Sequence, residues 1–200
     1  MKRFIVATKN KGKLEEIKEI LRDFPYEVIS MEEAGITIDI EESGTTFEEN
    51  AMIKAEAIFQ ATGEMVMADD SGLEVDYLDG APGIYSSRFA GEGATDEEKN
   101  KKLLKLLEGV PFEKRSARFV CVIAVIFTDG QRFTVKGTCD GYIVFEPIGD
   151  NGFGYDPLFY VPEYKMTTAQ MEPELKNSIS HRGRALAKMV EELKLRQQSN

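Results

Sequence analysis

The chain has 200 residues, of which 42% are hydrophobic, and a formal net charge of −10. This length and apolar content suit one domain with a sizeable core, and the acidic charge argues against general binding to nucleic acid or anionic membranes. The first apolar run is too short for a signal peptide, and no run approaches the roughly 20 residues of a membrane span. We therefore expect a cytoplasmic protein. Cys121 and Cys139 lack the short spacing of zinc ligands, and we interpret both as reduced structural thiols.

The first predicted elements are a buried strand at residues 3–7, a polar loop at 8–13 and a helix that ends near Asp23. The loop contains three lysines, a glycine and the side-chain donors of Thr8 and Asn10. Because the start of a helix exposes unpaired N–H groups and a partial positive charge, this loop suits phosphate groups. It lacks the spacing of a Walker A loop, and an ordinary solvated loop is the alternative.

The remaining elements follow from capping boxes, helical spacing and β-branched runs. In chain order they are a helix with a capping box at Thr46 and Glu49 that ends near Gly63, a short strand at 65–68, a helix with a capping box at Thr95 and Glu98 that stops at Gly109, a hairpin of strands 117–127 and 132–145 around Asp129 and Gly130, and a helix that includes 186–193. This order predicts an α/β domain with a mixed sheet and flanking helices. Because a long hairpin extends a sheet or builds a second lobe, we expect a cleft between two lobes.

Two acidic stretches are candidate metal sites. Asp69 and Asp70 follow the short strand, and Glu42 comes shortly before the helix that begins after Thr46. Carboxylates beside a phosphate pocket are natural Mg²⁺ ligands, because Mg²⁺ is usually held by one or two carboxylates together with phosphate oxygens. The alternative for Asp69 to Gly72 is a simple Asx turn.

The stretch 149–159 combines three glycines with Phe153 and Tyr155 before Asp156 and Pro157. Glycines let the backbone approach a ligand closely, and an aromatic ring on such a loop can stack on a planar base. The alternative is a tight connection between strands, with both rings in the core.

His181 is the only histidine of the chain. It lies near a predicted helix start, with Ser178 or Ser180 as the cap, and it comes before the apolar stripe of that helix. A zinc site is disfavoured because no second histidine and no cysteine pair accompany it. His181 and Arg182 would then be donors that recognise the edge of a base, with Lys176 as a further cation. A structural histidine is the alternative.

Six stretches, in this order, together resemble the inosine triphosphate pyrophosphatase family. They are T-x-N-x-x-K from Thr8 to Lys13, TFEENAMIKA at 46–55, ADDSGL at 68–73, APGIYSSRFAG at 81–91, GFGYDPLF at 152–159 and SHRG at 180–183. The resemblance implies that residues 1–200 form a single, elongated, two-lobed domain with a central cleft, which assembles as a homodimer. It also implies Mg²⁺-dependent hydrolysis of ITP, dITP and XTP to the monophosphate and pyrophosphate, which removes these nucleotides from the pool.

The resemblance also implies a role for each matched residue. Thr8, Asn10 and Lys13 match positions that hold the phosphates, and Lys54 is a further cation beside them. The residues between them, Lys9, Lys11 and Gly12, are also expected to bind the substrate. Glu42 and Asp70 match the metal carboxylates, Asp70 is also the implied base that activates water, and Ser71 matches a substrate contact. The residues around the purine are Phe153, Gly154, Tyr155, Asp156, Lys176, His181 and Arg182.

Three other functions fit the same residues less well. The chain could release the γ-phosphate and produce a nucleoside diphosphate, or it could act on modified pyrimidine triphosphates. It could also bind nucleotides as a sensor without turnover. Donors at the purine edge favour hypoxanthine, whose O6 accepts a hydrogen bond, over adenine, whose amino group donates one. The two carboxylates, Glu42 and Asp70, favour an enzyme over a sensor.

Overall fold

The computed structural model describes residues 2–8 and 11–198, except for the side chains of residues 11–13, 16, 197 and 198. Seven strands form one mixed sheet in this part of the chain. The strands are β1 (Lys2–Val6), β2 (Tyr26–Ser30), β3 (Met65–Val75), β4 (Ser116–Ile126), β5 (Arg132–Ile143), β6 (Phe159–Val161) and β7 (Met166–Thr167). The helices are α1 (Lys11–Ile20), α2 (Phe47–Thr62), α3 (Asp96–Leu106), α4 (Pro173–Ile179) and α5 (His181–Gln198). These elements confirm the predicted α/β class with a mixed sheet and helices.

The strand order of the sheet is β2-β1-β3-β4-β5-β6-β7. β1 pairs in parallel with β2 and with β3, so that Phe4 is aligned with Val28 on one side and with Met65 on the other. β6 pairs antiparallel with both β5 and β7. A parallel strand with neighbours on both sides is apolar along its length, which explains why Phe4, Ile5 and Val6 are at most 1% exposed.

The described residues form two compact units. Unit 1 contains those within Met1–Asp70, Cys121–Lys136 and Ala185–Asn200, and unit 2 contains those within Ser71–Val120 and Gly137–Arg184. Each unit has a core of its own. The core of unit 1 includes Phe4, Ile17, Leu21, Met67, Ile123 and Leu186. The core of unit 2 includes Leu103, Leu107, Ile143, Leu158, Phe159 and Met171.

The two predicted capping boxes have different outcomes. At the start of α3 the box is complete, because Thr95 and Glu98 each accept a hydrogen bond from the backbone N–H of the other. At the start of α2, Thr46 Oγ1 accepts from the Glu49 N–H. The second half of that box is wrong, because the Glu49 carboxylate accepts from the N–H of Thr45, at 2.6 Å, instead of Thr46.

β3 is longer than the sequence predicts. The strand does not end after residues 65–68 but continues through the acidic motif 69–72 to Val75. β1 is paired with Met65 to Met67, and β4 is the neighbour of β3 on its other side. Pairing within the sheet outweighs the turn preference of Asp, Ser and Gly. The predicted end of α2 at Gly63 is confirmed by its left-handed φ of 66°, whereas α1 ends at Ile20, before the predicted position.

The hairpin of β4 and β5 is confirmed, with Gly130 in the turn at a φ of 82°. β6, β7 and α4 are elements that the sequence analysis did not predict. Cys121 and Cys139 are buried as reduced thiols, as expected. Among the described residues, no helix is both long enough and apolar enough to cross a membrane.

Candidate active site

Two carboxylates converge on one lysine in unit 1. Lys54, on α2, places its Nζ 2.7 Å from Glu42 Oε1 and 3.4 Å from Asp70 Oδ1. We call Glu42, Lys54 and Asp70 the acid–lysine cluster. Its three side chains come from a loop, a helix and a strand, so it forms only when α2 packs beside β3. The structure thus brings together three residues that the sequence analysis assigned to the metal and the phosphates.

The loop that carries Glu42 is fastened to the first turns of α2. The Gly44 N–H donates to Asn50 Oδ1 at 2.8 Å, and Asn50 is fully buried. A Cβ atom on Gly44 would lie 2.6 Å from Asn50 Oδ1 and 2.7 Å from Glu49 Cβ. Only glycine therefore lets this loop approach α2 closely enough to bring Glu42 to Lys54.

The charges of the cluster influence one another strongly because the side chains are largely buried. Burial raises the pKa of Asp70, and Glu42 raises it further, although Lys54 opposes both effects. Burial lowers the pKa of Lys54, but the carboxylates of Asp70 and Glu42 more than compensate, and the pKa is raised overall. A cation is therefore retained between two carboxylates in a site of low dielectric constant.

The cluster has chemical features that fit Mg²⁺. Asp70 Oδ2 and Nδ2 of the neighbouring Asn50 are buried, and neither has a hydrogen-bond partner among the described residues. The Asn50 amide is nevertheless close enough to lower the pKa of Asp70. A buried carboxylate oxygen without a donor is costly unless a cation or a ligand satisfies it. Among the described residues, no group of three or more His, Cys, Asp and Glu side chains is arranged to hold a metal. Two carboxylates nevertheless suffice for Mg²⁺ when phosphate oxygens complete its coordination.

The predicted phosphate loop is only partly within the described residues. Thr8 follows β1, and its N–H donates to the Val6 carbonyl at 2.8 Å. Lys9 and Asn10 lie outside the described residues. α1 begins at Lys11, so Lys11, Gly12 and Lys13 belong to the helix and not to the predicted loop, and their side chains are not described. Their role remains a prediction.

A cavity of about 660 Å³ lies in unit 1 beside α1. Its lining includes Thr8, Leu14, Lys18, Met31 and Ile36, but it does not include any residue of the acid–lysine cluster. The cavity therefore lies next to one end of the predicted phosphate loop and is separate from the carboxylates.

The glycine-rich loop of unit 2 is built around one buried carboxylate. Asp156 is 4% exposed. Its Oδ2 accepts from the Phe153 N–H at 2.9 Å and pairs with Lys176 Nζ, and its Oδ1 accepts from Thr168 Oγ1 at 2.9 Å. A Cβ on Gly152 would overlap Asp156 Oδ2, and its φ of 78° also favours glycine. Asp156 therefore fixes the shape of the loop.

The two aromatic rings of this loop have opposite environments. Phe153 is 59% exposed, and Lys176 Nζ lies 4.8 Å from its ring centroid. Tyr155 is buried, and its hydroxyl donates to the Ser86 carbonyl at 2.7 Å. Phe153 is thus the ring that can stack on a ligand, whereas Tyr155 anchors the loop.

The stretch around His181 begins α5 as predicted. Ser180 Oγ accepts from the Gly183 N–H at 3.0 Å, so Ser180 is the cap. The imidazole of His181 stacks on Phe119. Nε of Arg182 is buried, and no described residue accepts a hydrogen bond from it. A buried guanidinium N–H that lacks an acceptor suits a ligand carbonyl or anion. Ser71, the predicted substrate contact, follows Asp70 along β3 and is half-buried.

Comparison with known proteins identifies the family. The sequence model of the Ham1 family matches residues 4–192. The chain belongs to the Ham1 family. Curated relatives named dITP/XTP pyrophosphatase include one from Desulforamulus reducens, which is 54% identical over 94% of each chain. A second, from Clostridium perfringens, is 53% identical over 97% of this chain and 98% of its own length.

Solved structures of Ham1 proteins agree with this fold. A HAM1 protein from Coxiella burnetii superposes with a TM-score of 0.92 at 45% identity, covering 97% of this chain and 99% of its own. The Staphylococcus aureus Ham1 protein also has a TM-score of 0.92, at 46% identity, covering 96% and 98%. The motif resemblance to a family of nucleotide pyrophosphatases is therefore confirmed, while the roles of individual residues remain predictions.

Several residues of this Ham1 site were missed by the sequence analysis because their roles depend on tertiary contacts. Asn50 appears in the sequence as one more polar residue of a helix, yet it holds the Glu42 loop. Thr168 and Ser86 hold Asp156 and Tyr155 from segments that are far away in the sequence. In the sequence, only the glycines of the Glu42 loop and of the glycine-rich loop of unit 2 indicated that the backbone makes close contacts there.

Proposed function

We propose that this chain hydrolyses non-standard purine nucleoside triphosphates, namely dITP, XTP and ITP, to the nucleoside monophosphate and pyrophosphate in the presence of Mg²⁺. The observation that carries the proposal is the acid–lysine cluster, in which a cation lies between two carboxylates. A buried oxygen of Asp70 also lacks a hydrogen-bond partner in the part of the chain that the structure describes. The names of the curated relatives support the substrate class.

The reaction needs an attacking water and a stabilised leaving group. Water attacks the α-phosphorus, the bond from this phosphorus to the bridging oxygen breaks, and pyrophosphate leaves. The Asp70 carboxylate orients the water and accepts its proton. Lys54 and the N–H groups at the start of α1 stabilise negative charge on the phosphate oxygens. When bound by Glu42 and Asp70, Mg²⁺ would supply further charge neutralisation and lower the pKa of a bound water.

The residues of unit 2 would recognise the base. The exposed ring of Phe153 stacks on the purine, which typically contributes roughly 1–3 kcal/mol per base. Arg182 Nε, which lacks an acceptor, donates to O6 of the base. Because adenine presents a donor at that position, two donors would face each other and one buried group would remain unsatisfied, which disfavours ATP. A homodimer and a cytoplasmic location are further parts of this proposal.

The test is product analysis with the purified protein and MgCl₂, comparing dITP, XTP, ITP, GTP, ATP and dUTP. We expect monophosphate and pyrophosphate from the first three and little product from the others. A diphosphate with orthophosphate would instead indicate γ-phosphate release, and turnover of dUTP alone would indicate a pyrimidine enzyme. Glu42→Gln should abolish most turnover, while Glu41→Gln, on the exposed neighbour, is the matched control.

A further inference from the structure

Gly154 is held on both sides of its backbone by two side chains of α3. The Gly154 N–H donates to Asp96 Oδ2 at 2.6 Å, and Asn100 Nδ2 donates to the Gly154 carbonyl at 3.0 Å. Asp96 and Asn100 are four residues apart on a helix and therefore lie on the same face, one turn apart. We call these two hydrogen bonds the Gly154 clamp.

The position of the clamp matters because Gly154 directly follows Phe153. The N–H of Phe153 is bonded to Asp156, and the next N–H along the chain is bonded to Asp96. The ring itself is 59% exposed, with a cation over it but no enclosing pocket. Its direction is therefore set mainly by the main chain on either side.

Asn100 has a feature that packing alone does not explain. It is 7% exposed, yet its Oδ1 is buried and has no hydrogen-bond partner within residues 2–8 and 11–198, as far as their side chains are described. The orientation of the amide is fixed, because the Gly154 carbonyl can only accept and must face Nδ2. A buried amide with one unsatisfied atom lowers the stability of the folded state. The contact that it does make is the one to the glycine-rich loop.

The helix that bears the clamp is a firm support. The capping box of Thr95 and Glu98 begins α3 beside Asp96, and Leu103 is fully buried one turn after Asn100. Lys99 pairs with Asp96 at 2.7 Å and restrains its carboxylate. The clamp thus joins an exposed loop to a capped and packed helix.

We propose that Asp96 and Asn100 are positioning residues for the base: they hold Gly154 so that the Phe153 ring is oriented for stacking before the nucleotide arrives. This inference rests on the proposed function. Loss of the clamp should weaken recognition of the base but leave the chemistry on the phosphates intact, because the acid–lysine cluster is built from other elements. We expect KM for ITP to rise about 10-fold, within the range that stacking on one base supplies, with kcat nearly unchanged.

The experiment compares three variants with two controls in the full-length protein. Asp96→Ala and Asn100→Leu remove one bond each, whereas Asp96→Asn keeps an acceptor oxygen for the Gly154 N–H and should restore most of the affinity. Glu97→Ala removes an exposed acidic residue from the same first turn of α3, and Lys101→Ala changes an exposed residue next to Asn100. The readouts are kcat and KM for ITP, the inhibition constant of inorganic tripolyphosphate, and amide hydrogen exchange at Gly154.

A positioning role predicts a specific combination of results. KM rises in Asp96→Ala and Asn100→Leu, the inhibition constant of tripolyphosphate is unchanged because this compound has no base, and Asp96→Ala alone loses protection of the Gly154 amide. An equal loss of tripolyphosphate binding, or a fall in kcat with KM unchanged, would overturn the proposal. If the wild type hydrolyses no nucleoside triphosphate, the proposed function fails. In that case the hydrogen-exchange data alone test the Gly154 clamp. If the Gly154 amide stays protected in Asp96→Ala, the clamp is overturned.

Discussion

The imidazole of His181 stacks on the ring of Phe119, with 4.9 Å between the ring centroids and 17° between the planes. Phe119 is itself 9% exposed and contacts Phe159 at a centroid distance of 4.4 Å. The plane of the imidazole is therefore determined by a ring that belongs to the core of unit 2. His181 combines a packing surface on its face with two nitrogens at its edge, and substitutions can separate these two roles.

His181→Phe should keep the stacking and lose the nitrogens, whereas His181→Ala should lose both. We expect His181→Ala to lower the free energy of unfolding by about 1 kcal/mol, the typical contribution of an aromatic pair, and His181→Phe to lower it less. Both should raise KM for ITP by roughly 10-fold, because the resemblance implies that an imidazole nitrogen forms a hydrogen bond to the base and each variant would lose it. Denaturant unfolding and steady-state kinetics check this. Normal kinetics in His181→Phe would assign the histidine to packing alone.

Asp70→Asn should abolish turnover but retain the fold. Burial raises the pKa of Asp70, so the folded state disfavours the charged carboxylate relative to the unfolded chain. A neutral side chain of the same shape should therefore leave the melting temperature unchanged or raise it. We expect kcat to fall by at least about 100-fold, as is usual when a general base is lost. ITP binding by calorimetry should persist, and residual turnover near the wild-type rate would remove Asp70 from the mechanism.

Gly152→Ala should disturb the loop beneath Phe153. The new Cβ would overlap Asp156 Oδ2 and would lie 3.0 Å from Lys176 Nζ, so the ion pair must open. The control is Gly130→Ala in the β4–β5 turn, where φ is also positive, at 82°, but no atom lies within 4 Å of the added Cβ. Both changes introduce backbone strain of about 1 kcal/mol. Only Gly152→Ala should also raise KM for ITP, and equal kinetics in the two variants would contradict the importance of this ion pair.

Arg115→Met should destabilise unit 2 strongly. The Arg115 side chain is 3% exposed and donates to the carbonyls of Leu107, Val110 and Val144. Removal of the guanidinium takes the donor from the buried carbonyls of Val110 and Val144, while the Leu107 carbonyl still accepts from the Val110 N–H. We therefore expect a loss on the order of 3 kcal/mol in the free energy of unfolding. Arg118→Met removes ion pairs at the surface and should cost less than about 1 kcal/mol. Thermal unfolding of the two variants compares them directly.

The contribution of Asp96 to stability should depend on pH. Its hydrogen bond with Lys99 lowers the pKa of Asp96, burial partly opposes this, and the Gly154 N–H lowers it further. Because the pKa is lower in the folded state, the stabilisation is present above the ordinary value of 3.8 and is lost as the pH falls through the lowered value. Wild type and Asp96→Ala should therefore differ most at neutral pH and converge as the pH falls below 3.8 and through the lowered pKa. Chemical denaturation across this range is the measurement.

The sequence was sufficient for features that depend on local chemistry. The caps at Thr46 and Thr95, the end of α2 at Gly63 and the turn at Gly130 follow from short-range preferences, and the structure confirms them. The motif at 69–72 shows the limit, because a local preference for a turn was overruled by sheet neighbours that no local pattern reveals.

The candidate site shows the same division. The residue types of the acid–lysine cluster were foreseeable because Mg²⁺ and phosphate chemistry demands carboxylates and cations. The residues that hold these groups in place were not, since Asn50 and Asn100 have polar side chains whose partners are fixed only by packing. Such supporting contacts leave little trace in one sequence, because many residue types satisfy the same local pattern.

Phe153 leaves more than half of its ring in water while its backbone and the cation above it are already fixed. An exposed aromatic ring on an ordered loop contributes little to folding, but it loses little conformational entropy when a ligand covers it. The free energy gained by burying this ring would therefore be realised when a ligand binds and not when the chain folds. A ligand that covers this ring would therefore stabilise the folded state, and heat resistance would then rise with ligand occupancy.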